Sequence, residues 1–166
     1  MAGVEQNRVK RDGTGLRAHN SDLAWQGYTL FAPNTLDNRT VYLIDMDGTP
    51  GHTWEMPYAP GRDGYRTERG TLLYNCKIPD DSFIGRMPFG GGVILEADWN
   101  GRILWEVRHP GHHHDGSQLR NGNVILLGVA PLPHEIASRV KGGYPGTEEN
   151  GEIYGDYIVE VTTGGK

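Results

Sequence analysis

Apolar and polar positions alternate along this chain in short runs, and almost none of it carries helical spacing. Tyr28 to Ala32, Thr40 to Asp45 and His52 to Met56 read as strands, parted by Pro33-Asn34, a polar loop with Asp37-Asn38, and Asp47-Gly48. Pro57 to Gly64 reads as a Pro/Gly loop, and Thr71 to Cys76 as a strand entered through Arg69-Gly70. Pro79 to Gly92 is a longer loop ending in three glycines, after which Val93 to Asp98 and Ile103 to Val107 flank the turn Asn100-Gly101. His112 to Leu127 reads as a hairpin. Asn121-Gly122 fits a type I′ turn, with φ positive at both residues, and Val124 to Leu127 is the apolar run of a strand buried on both faces. One stretch departs from β patterning: Pro133, then His134 to Val140, then Lys141 and Gly142, has the start and stop of a short helix. Tyr144-Pro145-Gly146 and Glu148-Glu149 carry the loop on to the last strand. Residues 1–24, with Arg8, Lys10 and Arg11, read as an extended lead-in.

The turns repeat. Gly48 and Gly101 are 53 residues apart, and Gly70 and Gly122 are 52 apart. Val41 to Gly48, Val93 to Gly101 and Tyr157 to Gly165 align as three copies of one strand-and-turn unit, and Trp54-Glu55 is matched to Trp105-Glu106. A period of about fifty residues with about four short strands fits a β-propeller blade. The expected fold is therefore all-β: an incomplete β-propeller of about two and a half four-stranded blades over residues 25–166, with one short inter-blade helix. Closed propellers have ~4–8 blades, so the ring is expected to be completed by a second polypeptide or by self-association, unless the chain is a fragment.

Composition agrees with many short strands, since 166 residues include 25 Gly and 10 Pro. A net charge of −5 gives no overall basic field for nucleic acid or an anionic membrane surface. No segment approaches the ~20 apolar residues of a membrane span, and residues 1–27 lack a signal-peptide core, so a cytoplasmic protein is expected. Cys76 stands alone, which excludes an intrachain disulfide and fits a buried thiol in a strand.

Candidate chemistry centres on His112-His113-His114-Asp115 at the mouth of the hairpin. Imidazoles there can act as nucleophile, proton donor or metal ligand, and Asp115 can fix a tautomer or pin the loop. If strand alternation holds, either His112 and His114 share a face or His113 faces inward alone. Arg86, flanked by Gly85 and near the triple glycine, is the preferred anion-binding cation, and His52 is a second substrate-binding candidate. Under a competing reading, His112 and His114, helped by His109, His113 or His52, hold copper or zinc in a hydrolase or oxidoreductase. A third reading is a binding or scaffold propeller without chemistry.

Several blocks together resemble the arylsulfotransferase (arylsulfate sulfotransferase) β-propellers and their shorter cytoplasmic-type relatives. They are Gly27 to Pro33, Tyr42 to Gly48 with His52-Thr53-Trp54, Gly92 to Gly101, and His113-His114-Asp115 with Asn121-Gly122-Asn123, spanning about residues 25–166. The resemblance implies a six-bladed propeller whose funnel transfers a sulfuryl group from an aryl sulfate to a phenol through a histidine, with no dissociable cofactor. It implies catalytic roles for His113, His114 and Asp115. The family's downstream histidine block, including the histidine that takes the sulfuryl group, has no counterpart in this chain.

Overall fold

The computed structural model describes Leu16 and residues 18–79, 82–88, 90–142 and 151–164. Arg8, Lys10 and Arg11, the segment from Tyr144 to Glu149, and Gly165 lie outside the described residues. The described residues form β1 (Thr29–Phe31), β2 (Thr40–Ile44), β3 (Pro50–Glu55), β4 (Ala59–Arg66), β5 (Leu72–Lys77), α1 (Phe83–Arg86), β6 (Gly92–Ala97), β7 (Ile103–Arg108), β8 (His112–Gln118), β9 (Val124–Pro131), α2 (His134–Ala137) and β10 (Tyr154–Val161). The strands make three antiparallel meanders, none of them closed: sheet I (β1-β2-β3), sheet II (β4-β5-β6-β7) and sheet III (β8-β9-β10). The all-β class is as expected. No helix among the described residues is long and apolar enough to cross a membrane.

Four tight turns share one construction. At Asp45, Thr67, Asp98 and Leu119 the backbone N–H donates to the carbonyl four residues on, and the glycine three residues on donates back. Those glycines, Gly48, Gly70, Gly101 and Gly122, have φ of 83°, 81°, 83° and 87°. The side chains of Asp45 and Asp98 tighten their turns by accepting from the N–H groups two and four residues on. This corrects the type I′ reading of Asn121-Gly122. Among the described non-glycine residues φ is positive only at Arg62 and His114, so Asn121 is in an ordinary conformation and Gly122 supplies the left-handed step of a longer turn.

Pairing registers fix how the repeats correspond. Leu72 pairs Ala97 as Thr29 pairs Ile44 and as Val124 pairs Val161. Sheet I thus matches the last three strands of sheet II, and sheet III its first three. By the same registers Trp54, paired with Val41, matches Val107, paired with Ile94, so the two Trp-Glu pairs are not equivalent. β3 and β7 bulge at matching positions, opposite Leu43/Ile44 and Glu96/Ala97, so the correspondence keeps the 53-residue spacing of Gly48 and Gly101. The expected loop over Pro57 to Gly64 is corrected too, because Ala59–Arg66 is a strand. It accommodates its prolines and glycines through a bulge between Pro60 and Gly64, with Arg62 at φ 96°.

Sheet II is the middle layer. Leu72, Tyr74, Cys76, Val93, Leu95 and Ala97 point to sheet I, where they pack on Val41, Leu43, Trp54 and Met56. Alternate residues Leu73, Ile94 and Val107 point the other way, onto Val124, Leu126 and Val161 of sheet III. Period-2 alternation with both parities apolar is what burial on two faces requires. The first strands of the sheets lie near one another, β4 touching both β1 and β8. The expected helix after Pro133 forms as a single turn, His134–Ala137.

Candidate functional site

All four tight turns lie at one end of the stacked sheets. At the other end the loops before β6, β8 and β10 meet, and there β8 begins with the histidines. Gly116 pairs Leu126, but His112 pairs Gly128, so β8 carries two extra residues over this interval. Strict alternation is lost. His112 is fully buried, His113 is 4% exposed, and His114 turns the chain with φ of 30°, in the left-handed region that a residue with a Cβ rarely enters. Neither face assignment expected from simple alternation therefore holds.

Each imidazole has its own work. The Gly92 N–H donates to His112 Nδ1 at 3.2 Å, so that nitrogen is unprotonated and Nε2–H donates to Asn75 Oδ1, also at 3.2 Å. Burial pushes the His112 pKa down to about 4, the neighbouring histidines adding to the effect against a hydrogen bond with the Asp115 backbone. His112 is thus a neutral core residue with both nitrogens engaged, which removes it as a metal ligand. Close approach makes the bond possible: a Cβ on Gly91 would lie 2.9 Å from His112 Nδ1 and 2.8 Å from its carbonyl oxygen.

His113 and His114 form a different unit. His113 Nε2 meets Asp156 Oδ1 at 3.1 Å, and His113 Nδ1 meets His114 Nδ1 at 2.8 Å. Taking the proton positions from this network, the carboxylate requires Nε2–H on His113. In the neutral pair His113 Nδ1 is then the acceptor, His114 Nδ1–H the donor, and His114 Nε2 carries the lone pair. A carboxylate, an orienting imidazole and a basic imidazole nitrogen stand in sequence.

The acid in this chain is Asp156, from β10, and not Asp115. The Asp115 side chain is exposed on the outer face of sheet III, beside a shallow depression of about 190 Å³ with Ile125, Leu127 and Ile158. Arg86 ends α1, which Phe83 holds at the histidine end by stacking on Tyr154, ring centroids 4.1 Å apart. A depression of about 240 Å³ opens there between Ser82, Gly85, Gly92, Arg108 and His109. Arg108 also donates to Tyr58 Oη at 2.6 Å and Glu106 Oε1 at 2.8 Å.

His52 is at the opposite end, corrected from its expected place beside the histidine cluster. Its ring stacks on Trp99 at 3.9 Å, and its Nε2–H donates to the Trp99 carbonyl at 2.8 Å. Trp99 follows the far end of β6, six residues at about 3.3 Å each, so about 20 Å separates His52 from the histidine segment. Among the described residues no three His, Cys, Asp or Glu side chains are gathered to hold a metal ion.

Two buried polar groups escaped the sequence reading. Asn75 is fully buried among apolar neighbours in β5, where its type alone marks it. Glu96, 1% exposed, sits at the turn end, its carboxylate taking Arg69 Nη2 at 2.6 and 2.7 Å, Thr71 Oγ1 and Trp105 Nε1. Burial would raise its pKa, but the bonds from Thr71, Arg69 and Trp105 together bring it below the ordinary carboxylate value. The chain matches no family model, no curated protein and no solved structure.

Proposed function

We propose that the chain is part of an arylsulfotransferase-like β-propeller, and that its histidine end forms one wall of a sulfuryl-transfer site for aryl sulfates and phenols. Three meander sheets in one register, with their first strands near one another, support the propeller. The observation that carries the chemistry is the sequence Asp156, His113, His114. In the transfer, the bond from sulfur to the donor's phenolic oxygen breaks and a bond from sulfur to the acceptor oxygen forms, directly or by way of a sulfuryl-histidine on another blade. The acceptor's phenolic proton passes to His114 Nε2, and from there to the departing phenolate. Asp156 holds His113 in the tautomer that keeps this nitrogen basic and offsets the charge of the protonated pair. Arg86 supplies a cation for the sulfate oxygens.

The test is release of 4-nitrophenolate from 4-nitrophenyl sulfate with a phenol as acceptor. His114→Ala and His113→Ala are expected to lose turnover by about 10²-fold or more, and Asp115→Ala to retain it. No acceptor-dependent release by the unmutated protein, or full activity in both histidine variants, overturns the reading.

A further inference from the structure

The four tight turns share a backbone but not a charge pattern. The β2–β3 and β6–β7 turns open on Asp45 and Asp98, whose carboxylates accept from the N–H groups of their own turns. The β4–β5 and β8–β9 turns open on Thr67 and Leu119 and carry arginine, Arg69 in one and Arg120 in the other, with Arg66 ending β4. These last two turns wall a cleft of about 450 Å³ at the junction of sheets II and III. All three arginines line it, in a chain whose net charge is −5. Among the described residues that line it, Glu68 alone carries a carboxylate.

The two walls are tied together by hydrogen bonds. Tyr65 Oη donates to Ser117 Oγ at 3.0 Å and accepts from the Gln118 backbone N–H at 3.0 Å. The Gln118 side chain takes Arg69 Nη2 at 3.0 Å, and the same nitrogen meets both carboxylate oxygens of buried Glu96. Every bond that anchors the Arg69 guanidinium therefore comes from Nη2. Its Nε–H and Nη1–H groups make no bond among the described residues, and the side chain is 62% exposed. Arg66 lies over the Trp99 ring at 5.4 Å and reaches the Gly70 carbonyl only at 3.5 Å. A guanidinium laid over an indole presents its N–H edge, and not its face, to a ligand. Neither Arg66 nor Arg120 forms an ion pair among the described residues.

We infer that this cleft binds a tetrahedral oxyanion, the phosphate or sulfate group of a small ester, between Arg66, Arg69 and Arg120. The fixed fork of guanidinium donors matches the paired oxygens of such an anion. Arg69 is already held in place by Glu96 and Gln118, so little side-chain freedom is lost when its remaining donors engage. With Glu96 set against Arg69 and Glu68 against Arg66, Arg120 still leaves a surplus positive charge. The volume falls within the ~300–1,000 Å³ of small-molecule sites, which gives the organic part of the ester room beside Tyr65 and Leu119. About 20 Å of strand separates this end from the histidines, and the site rests on neither the propeller reading nor sulfuryl transfer.

Titration of the ¹⁵N-labelled chain with inorganic phosphate, glucose 6-phosphate and glucose 6-sulfate, in chloride buffer at fixed ionic strength, tests this. Saturable shifts are expected at the amides of Thr67 to Gly70 and Leu119 to Gly122, with none at His112 to His114. Whichever ester binds more tightly names the oxyanion. Arg120 makes no hydrogen bond or ion pair among the described residues, so Arg120→Gln is expected to fold as the unmutated chain does. It and Arg66→Gln are each expected to weaken binding by about 5-fold or more, and Glu68→Gln to tighten it. The absence of a saturable shift with all three probes overturns the inference, as does unchanged affinity in both arginine variants. Shifts spread equally over the exposed Arg39 and Arg102 mark an adventitious ion only and overturn it too. Free phosphate binding more tightly than both esters does the same, because the cleft then takes no ester.

Discussion

His113 and Asp156 are 43 residues apart in the chain and 3.1 Å apart in the fold, imidazole Nε2 to carboxylate Oδ1. β8 and β10 are the two edges of sheet III, separated by β9. His113 lies in the bulge at the start of β8, and its side chain reaches across to the other edge. The carboxylate is mostly exposed, its side chain at 70%, whereas the imidazole is at 5%, so the acid meets solvent on one side and a buried ring on the other.

Asp156→Asn tests the tautomer assignment directly. With the carboxylate in place, the ¹⁵N imidazole shifts of His113 are expected to report Nε2–H and those of His114 to report Nδ1–H. The amide can turn its NH₂ toward His113 Nε2, so both rings are expected to exchange tautomers. If transfer occurs at this site, turnover falls by about 10²-fold or more. Unchanged shifts in the variant exclude Asp156 as the orienting group.

His112 makes the fold acid-sensitive. Its pKa is near 4 in the folded chain, and the unfolded value is the ordinary 6.5. Above 6.5 the ring is neutral in both states and contributes no slope. Between 6.5 and 4 the unfolded chain binds a proton that the folded chain does not, so stability falls with pH across that window, by on the order of 3 kcal/mol in total. Urea midpoints measured from pH 7 to pH 4.5 check this. His112→Asn is less stable at pH 7, and its loss on acidification is smaller; an equal loss in both proteins assigns the acid sensitivity elsewhere.

Glycines at two positions separate steric from conformational cost. A Cβ at Gly91 meets backbone on two sides, the His112 carbonyl oxygen at 2.8 Å and His113 Cα at 2.9 Å, so Gly91→Ala must move the histidine segment. Gly101 has φ of 83° with nothing within 4 Å, so Gly101→Ala meets only the left-handed penalty of about 1 kcal/mol. Gly91→Ala is expected to cost about 2 kcal/mol or more and to change the imidazole spectra of His112 and His113, while Gly101→Ala leaves those spectra alone. Equal costs and unshifted imidazoles contradict the close approach.

What could be read from the chain before folding was whatever depends on near neighbours. The Asx-Gly turns at Gly48, Gly101 and Gly122 and the apolar runs of β5, β6 and β9 are local, and their spacing carried the repeat. β4 was hidden because Pro60, Gly61 and Gly64 carry the composition of a loop, and a bulge is what reconciles them with a strand. The orientation of the histidines depends on two inserted residues in β8, which no period-2 rule registers. Asp156 and Asn75 could not be paired with their imidazoles from sequence, because those partnerships rest on which strand edges and sheet faces meet. His52 was misplaced for the same reason: its spacing from Gly48 says nothing of which end of the stack the turn occupies.

Glu96 gives a prediction at the turn end. Its two oxygens receive four donor contacts, two from Arg69 and one each from Thr71 and Trp105, in a position 1% exposed. Glu96→Gln keeps the volume but replaces one acceptor oxygen with an NH₂ that faces donors. Trp105 Nε1–H then loses its acceptor beside the buried carboxyl position, or the Arg69 guanidinium, itself 62% exposed, is left with Gln118 and solvent. The expected cost is about 2–4 kcal/mol at pH 7, read as a lower urea midpoint with unchanged m. The pH dependence has a definite sign. The carboxyl pKa lies below its ordinary value of 4.5, so its contribution is complete above that value and is lost as pH falls through the folded one. The difference between the two proteins is therefore constant from pH 7 to 5 and shrinks below 4.5. This is a lower window than that of His112, so one titration of both variants distinguishes the two groups. A difference that persists undiminished at pH 3 means that the carboxylate's charge is not what holds Arg69, Thr71 and Trp105 together.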